Sequence, residues 1–204
     1  MMSRLVGRVG CALIAGGTVA LAASPAHADE TKDGFTVSAT MRLRYEAIDG
    51  QARVGLNKSD DLVNLRTNVL ARYLKSDVEV AVDLYDSRVW GDRTGTPVST
   101  NEVNALEPVQ AYVAGTLRDP FGKGSKATVT AGRMMLNLGS RRLVAADDYR
   151  NTTNGYTGLK IDLSAKGGWK GTFIYTLPQV RLPDALDDVR SAEVKLDRES
   201  FDLV

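Results

Sequence analysis

Cysteine and histidine each occur once in this sequence of 204 residues, as Cys11 and His27. Both lie within the first 28 residues, which have the pattern of a removable leader. The rest of the chain therefore offers no thiol and no imidazole. This absence excludes disulfide bonds, Cys/His zinc sites, Ser-His-Asp triads and cysteine nucleophiles. We expect no metal site, no cofactor and no enzymatic activity.

Long apolar runs and excess charge are also missing after the leader. No run of 18 apolar residues occurs there, so a membrane-spanning helix is not expected. The whole sequence has 26 Lys and Arg residues and 25 Asp and Glu residues. Residues 1–28 contain two of the arginines and no acid, so residues 29–204 have a net charge of −1. This balance argues against a nucleic-acid partner. If the chain crosses a membrane, it must do so as the strands of a barrel.

The leader itself has the three parts of an export signal. Arg4 and Arg8 give it a positive start, and residues 9–23 form a short, glycine-containing apolar run. Residues 26–28, Ala-His-Ala, fit the small-x-small rule for cleavage. We predict a signal peptide over residues 1–28, cleaved after Ala28, and an exported part over residues 29–204.

Residues 35–47 alternate strictly between apolar odd positions and polar even positions. A period of two predicts a strand with one apolar and one polar face. The stretch is longer than the roughly 5–6 residues of most strands in soluble proteins. In a tilted strand, Phe35 and Tyr45 would lie about 25 Å apart along a membrane normal, which is the height of the lipid-facing band of an outer-membrane barrel.

Six further stretches show the same alternation and complete a predicted set of seven strands. In the stretch 127–136 we expect Gly132 to form a β-bulge that changes the direction of the Arg133 side chain. In the stretch 107–117 we place Val109 on the apolar face. Trp169 and Tyr73 lie at strand ends beside short turns, where a membrane interface favours aromatic rings. The six stretches are residues 62–74, 77–87, 107–117, 127–136, 155–164 and 169–177.

Short and long connections alternate between these strands, as periplasmic turns and extracellular loops do in outer-membrane barrels. Residues 199–204 resemble the start of an eighth strand. A barrel must close and bacterial barrels have an even number of strands. We therefore expect an all-β fold, an antiparallel up-and-down transmembrane β-barrel that is incomplete, with about seven strands of a larger barrel in this N-terminal portion. A complete eight-stranded barrel is the rival interpretation.

Several motifs resemble the successive strand motifs of the alginate export family of outer-membrane barrels. They follow one another in the family's order over most of residues 35–177. The resemblance implies a monomeric porin of many more strands in the bacterial outer membrane, with an arginine-lined pore that passes an anionic polysaccharide. It does not establish the substrate, because fold alone does not determine cargo. The motifs are residues 42–46 (RLRYE), 64–67 (NLRT), 107–112 (EPVQAY), 132–142 (GRMMLNLGSRR) and 150–158 (RNTTNGYTG).

The polar faces of the predicted strands are rich in arginine. A guanidinium group stays charged and makes forked contacts with carboxylates, and rings of Arg in a pore favour anions. Acids occur on the same faces, so these arginines could instead pair with them and brace the barrel wall; both can hold in one pore. The predicted pore-lining residues are Arg42, Arg44, Arg66, Arg72, Arg133 and Arg142, and the predicted paired acids are Glu46, Glu79, Asp83 and Glu107.

These patterns favour passive transport through the outer membrane. The expected partners are membrane lipid and an anionic solute, either an alginate-like polysaccharide or a small organic acid. A secreted, soluble β-sandwich that binds a ligand is the alternative, and it predicts extraction without detergent and no conductance. A barrel enzyme of the lipase or protease type would need a base other than histidine.

Overall fold

The computed structural model describes residues 33–51, 53–142, 144–146 and 149–189. Within them lie one short 3₁₀ helix, Thr100–Glu102, and seven strands. The predicted signal peptide and the predicted start of an eighth strand at residues 199–204 lie outside the described residues. The strands are β1 (Gly34–Ile48), β2 (Asp60–Lys75), β3 (Val78–Trp90), β4 (Asn104–Arg118), β5 (Lys126–Met134), β6 (Tyr156–Ala165) and β7 (Trp169–Pro178).

The seven strands form one sheet in the order β1-β2-β3-β4-β5-β6-β7, and each strand is antiparallel to the next. This topology confirms the predicted all-β, up-and-down architecture. In the described part of the chain β1 does not pair with β7, so the sheet is open, consistent with an incomplete barrel. None of the described residues belongs to a helix that is both long and apolar enough to cross a membrane.

One face of the sheet is apolar across all seven strands. The registers align the odd residues of β1 with apolar residues of β2 and β3, as in the row Val37, Ala71 and Val82. Large apolar side chains on this face are open to the surroundings: Phe35 is 67% exposed, Phe173 59% and Trp169 71%. Because all seven strands belong to a single sheet, the sandwich alternative does not describe this fold. An uncovered apolar face of this size is the surface that lipid would contact.

Aromatic side chains lie near both ends of the apolar face. Phe35 is paired with Tyr73 next to the turn after β2, and Trp169 begins β7 at the same end of the sheet. At the opposite end, Tyr45 of β1 and Trp90 of β3 both pair with Val63 of β2. Two aromatic levels bordering an apolar band are typical of outer-membrane strands.

The connections differ at the two ends of the sheet. The short-turn end has turns at residues 76–77, 119–125 and 166–168, whereas the long-loop end has residues 49–59, 91–103 and 135–155. A small buried core lies at the long-loop end and consists of Leu62, Val89, Val103 and Leu186. This core joins the start of β2 and the end of β3 to the loop after β3 and to the chain after β7.

The predicted bulge at Gly132 is wrong. Gly132 pairs with Tyr112 on one side and Gly158 on the other, in ladders without a register shift. A Cβ atom on Gly132 would lie 2.4 Å from the carbonyl oxygen of Ala111, and one on Gly158 would lie 2.2 Å from that of Tyr175. These glycines therefore allow close approach of the neighbouring backbone.

The register shifts occur instead between β3 and β4, at Asp83/Leu84 and Tyr85/Ser87. Each shift inserts one extra residue into β4, and the first of these is Val109. Val109 is consequently fully buried, and its predicted place on the apolar face is wrong. At the second shift Leu106 has a φ of 41°, and its N–H donates to Oδ1 of Asp86 over 2.9 Å.

Candidate functional site

Three arginines of β1 and β2 meet on the polar face of the sheet. Arg42 lies directly opposite Arg66 in the ladder, and Arg44 lies two residues further along β1. Like charges opposite each other destabilise a strand pair unless other groups compensate. We call Arg42, Arg44 and Arg66 the arginine cluster.

Backbone oxygens of the loop between β5 and β6 contact this cluster. The carbonyl of Arg150 accepts hydrogen bonds from Nη2 of Arg42 and from Nη1 of Arg66, the latter over 3.2 Å. The carbonyl of Tyr149 accepts one from Nη1 of Arg44 over 2.6 Å. We call residues 149–153 the covering segment, because they lie on the polar face over β1, β2 and β3.

The carboxylates of Glu46 and Glu102 lie close to Arg42 and Arg44 and partly balance their positive charge. Glu46 forms an ion pair with Arg44, and Oε2 of Glu102 lies 3.5 Å from Nη2 of Arg44. The same oxygen of Glu102 accepts a hydrogen bond from the backbone N–H of Asn151 over 2.7 Å. Glu102 therefore links the arginine cluster to the covering segment.

Asn151 fixes the covering segment to the sheet. Its Nδ2 lies within 3.0–3.2 Å of three carbonyl oxygens, those of Leu65, Arg88 and Glu102. Its own carbonyl accepts a hydrogen bond from the Ser87 hydroxyl over 2.5 Å. Because Asn151 is completely buried, these contacts anchor the segment in the interior.

Arg66 has a further contact on the sheet. Its guanidinium carbon lies 5.5 Å from the centre of the Tyr85 ring, a cation–π geometry. The ring belongs to the neighbouring strand β3, next to Ser87, which binds the covering segment. The position of Arg66 is thus determined by β3 and the loop together.

Two other predicted pore arginines form ion pairs that brace the wall. Nη2 of Arg72 lies 2.7 Å from Oε2 of Glu79, whose other oxygen accepts from the Tyr112 hydroxyl over 2.7 Å. Arg133 pairs with Glu107, which is fully buried. These contacts fit the bracing interpretation for Arg72 and Arg133.

The remaining predicted residues lie apart from these groups. Arg142 is exposed in the loop after β5 and is not brought to a strand face. Asp83 is buried on β3, and its Oδ2 accepts a hydrogen bond from Nε2 of Gln110 over 3.2 Å. The structure therefore brings together three of the six predicted arginines.

Sequence reasoning missed Glu102 and the covering segment. Glu102 lies in a predicted loop. The contacts from Tyr149 and Arg150 use backbone carbonyls, and because every residue has one, the residue type does not indicate such a contact. The available signal was the motif at residues 150–158, which contains Asn151. The residue types of this motif do not indicate that the loop folds back over β1.

Comparison with known proteins identifies a family. A family model described as alginate export matches residues 34–198, which include all seven strands. The match spans well over half of the chain. No curated protein and no solved structure gives a significant match.

Proposed function

Because the chain belongs to the alginate export family, a family of outer-membrane transport channels, we propose that it passes an anionic solute through the outer membrane. The solute is an alginate-like polysaccharide or a small organic acid. The apolar face contacts outer-membrane lipid, the chain reaches the membrane after removal of residues 1–28, and the complete barrel is a monomer. This proposal also assigns the polar face to the pore.

The observation that supports anion passage is the arginine cluster. Three guanidinium groups from adjacent strands lie on one face and donate to the backbone carbonyls of Tyr149 and Arg150. Arginine remains charged at any relevant pH, so the site stays cationic regardless of the medium. A solute carboxylate can exchange with these neutral carbonyls, because it carries the opposite charge and can accept two parallel N–H bonds from one guanidinium.

The carbonyl contacts also explain how binding can stay weak enough for transport. Conduction requires sites that attract the ion but release it again. A guanidinium that returns to a backbone carbonyl after the carboxylate leaves is never left without an acceptor. The braced pairs of Arg72 with Glu79 and Arg133 with Glu107 meanwhile maintain the wall.

Single-channel recording of the full-length protein in planar bilayers tests this function. We expect the wild type to prefer chloride to potassium. The substitutions Arg42→Gln and Arg66→Gln should each lower the anion/cation permeability ratio by about fivefold, since two unit charges about 4 Å apart in water interact by about 1 kcal/mol. Arg53→Gln, in the exposed loop after β1, is the matched control and should leave the ratio unchanged.

A wild-type channel that prefers potassium would overturn the anion-channel function. An equal loss of selectivity in Arg53→Gln would show that overall charge, and not the arginine cluster, sets the ratio. Refolding of every variant should be checked by its migration before and after heating on a denaturing gel. Absence of any conductance from refolded protein would count against a channel altogether.

A further inference from the structure

A hollow lies on the polar face, at the short-turn end of the sheet. Its volume is about 710 Å³, and it is bordered by residues of β2 to β6. Ligand pockets commonly have volumes of about 300–1,000 Å³. None of the three residues of the arginine cluster lines it, so it is a separate place on the same face.

Hydroxyl groups form much of the wall of this hollow. Thr116 of β4 is paired with Thr128 of β5, and their Oγ1 atoms lie 3.0 Å apart. Thr130 is the next residue of β5 on this face, and Gln110 and Tyr112 of β4 add an amide and a phenol. Such groups can both donate and accept hydrogen bonds, which suits the hydroxyls of a sugar better than a bare anion.

Most charged groups around the hollow form ion pairs with each other. Nη2 of Arg118 lies 2.6 Å from Oδ1 of Asp77, and Nζ of Lys160 lies 2.8 Å from Oδ2 of Asp162. Lys126 differs, because its exposed ammonium group forms no ion pair with any residue that the structure describes. It begins β5, in the row of Arg118, next to the hydroxyl pair.

We propose that this hollow binds one acidic sugar residue of the transported chain. Lys126 binds the sugar carboxylate, and Thr116, Thr128 and Thr130 bind its hydroxyl groups. The inference rests on the proposed function and deepens it, since it assigns a sugar-binding contact to residues outside the arginine cluster. An acidic polysaccharide then contacts two places in the pore, this hollow through hydroxyls and one carboxylate, and the arginine cluster through carboxylates.

Current block of the full-length channel in planar bilayers tests the proposal. The probes are a tetramer of galacturonic acid, the neutral tetramer maltotetraose, and acetate, each added from the side of the short turns. We expect the acidic tetramer to block at lower concentration than either of the others. A channel blocked equally well by acetate and the acidic tetramer would overturn the sugar site.

Two variants separate the contributions. The double variant Thr116→Val with Thr128→Val keeps the side-chain shape and should weaken block by the acidic tetramer about tenfold, as expected for two lost hydrogen bonds. Its chloride/potassium ratio should not change. Lys126→Gln should weaken the same block about fivefold, whereas Lys123→Gln in the adjacent turn, outside the hollow, should not.

Unchanged block in both Lys126→Gln and the double valine variant would overturn the sugar site. If the wild type preferred anions in the same recordings, the proposed channel function would still be supported. Loss of anion preference in the wild type would instead reject the channel function itself. Because Lys126 is exposed, its substitution keeps the test valid even if the valine variant does not fold.

Discussion

Asn151 connects several parts of the molecule through a single buried side chain. It reaches carbonyls of β2, of β3 and of the 3₁₀ helix, while its main chain binds Glu102 and Ser87. Arg150 is the adjacent residue, so the carbonyl that two guanidinium groups share is positioned by this anchor. Asn151 is therefore a positioning residue for the arginine cluster.

Replacement of Asn151 by alanine should disturb both stability and conduction. It leaves three carbonyls without this donor, and a buried polar group without a partner costs about 1–3 kcal/mol. We expect a lower free energy of unfolding in urea and noisier single-channel currents, because the covering segment no longer holds the arginine cluster. Asn57→Ala is the matched control, since the Asn57 amide also donates to a carbonyl, that of Thr94, but in an exposed loop. Equal stability and current noise in the two variants would reject the positioning role of Asn151.

At the level of elements, local sequence was enough to find every strand in the described part of the chain. The period of two is a property of neighbouring residues, and the predicted 35–47 became Gly34–Ile48. Features that depend on a partner strand were missed, such as the two shifts in β4 that bury Val109. The covering segment was missed for the same reason, since its contact with Arg42 joins residues 108 positions apart.

The same alternation predicts opposite outcomes for two neighbouring substitutions in the middle of β1. Ala39 lies on the apolar face and Ser38 on the polar face. Ala39→Arg should destabilise the full-length protein in phospholipid vesicles by about 2–4 kcal/mol, the cost of arginine near the bilayer midplane. Ser38→Arg adds the same group on the polar face, toward the proposed pore, and should change the free energy of unfolding by less than half that amount. Urea titrations followed by tryptophan fluorescence would measure both, and equal destabilisation would argue against lipid contact on the apolar face.

At the scale of the whole molecule, the two faces of the sheet differ in polarity. Aromatic and aliphatic side chains occupy one face from β1 to β7, whereas arginines, acids and threonines occupy the other. The apolar face is left uncovered by the described residues, so its free energy depends on the medium that contacts it. Water would make this face unfavourable by about 25 cal/mol for each Å² of apolar surface. The proposed placement, with lipid on the apolar face and water on the polar face, would remove this cost.

Cysteine labelling can locate these two media directly, because residues 29–204 contain no cysteine of their own. In a cysteine-free background of the full-length protein in vesicles, Val82→Cys and Phe173→Cys should react with a lipid-soluble maleimide and resist a charged one. Thr128→Cys and Thr172→Cys, on the opposite face, should show the reverse preference. A thiolate forms readily only in contact with water, so reaction at the apolar positions should also be slower. Protection of Val82→Cys and Phe173→Cys from both reagents would mean that protein and not lipid covers this face, and the transmembrane assignment would fail.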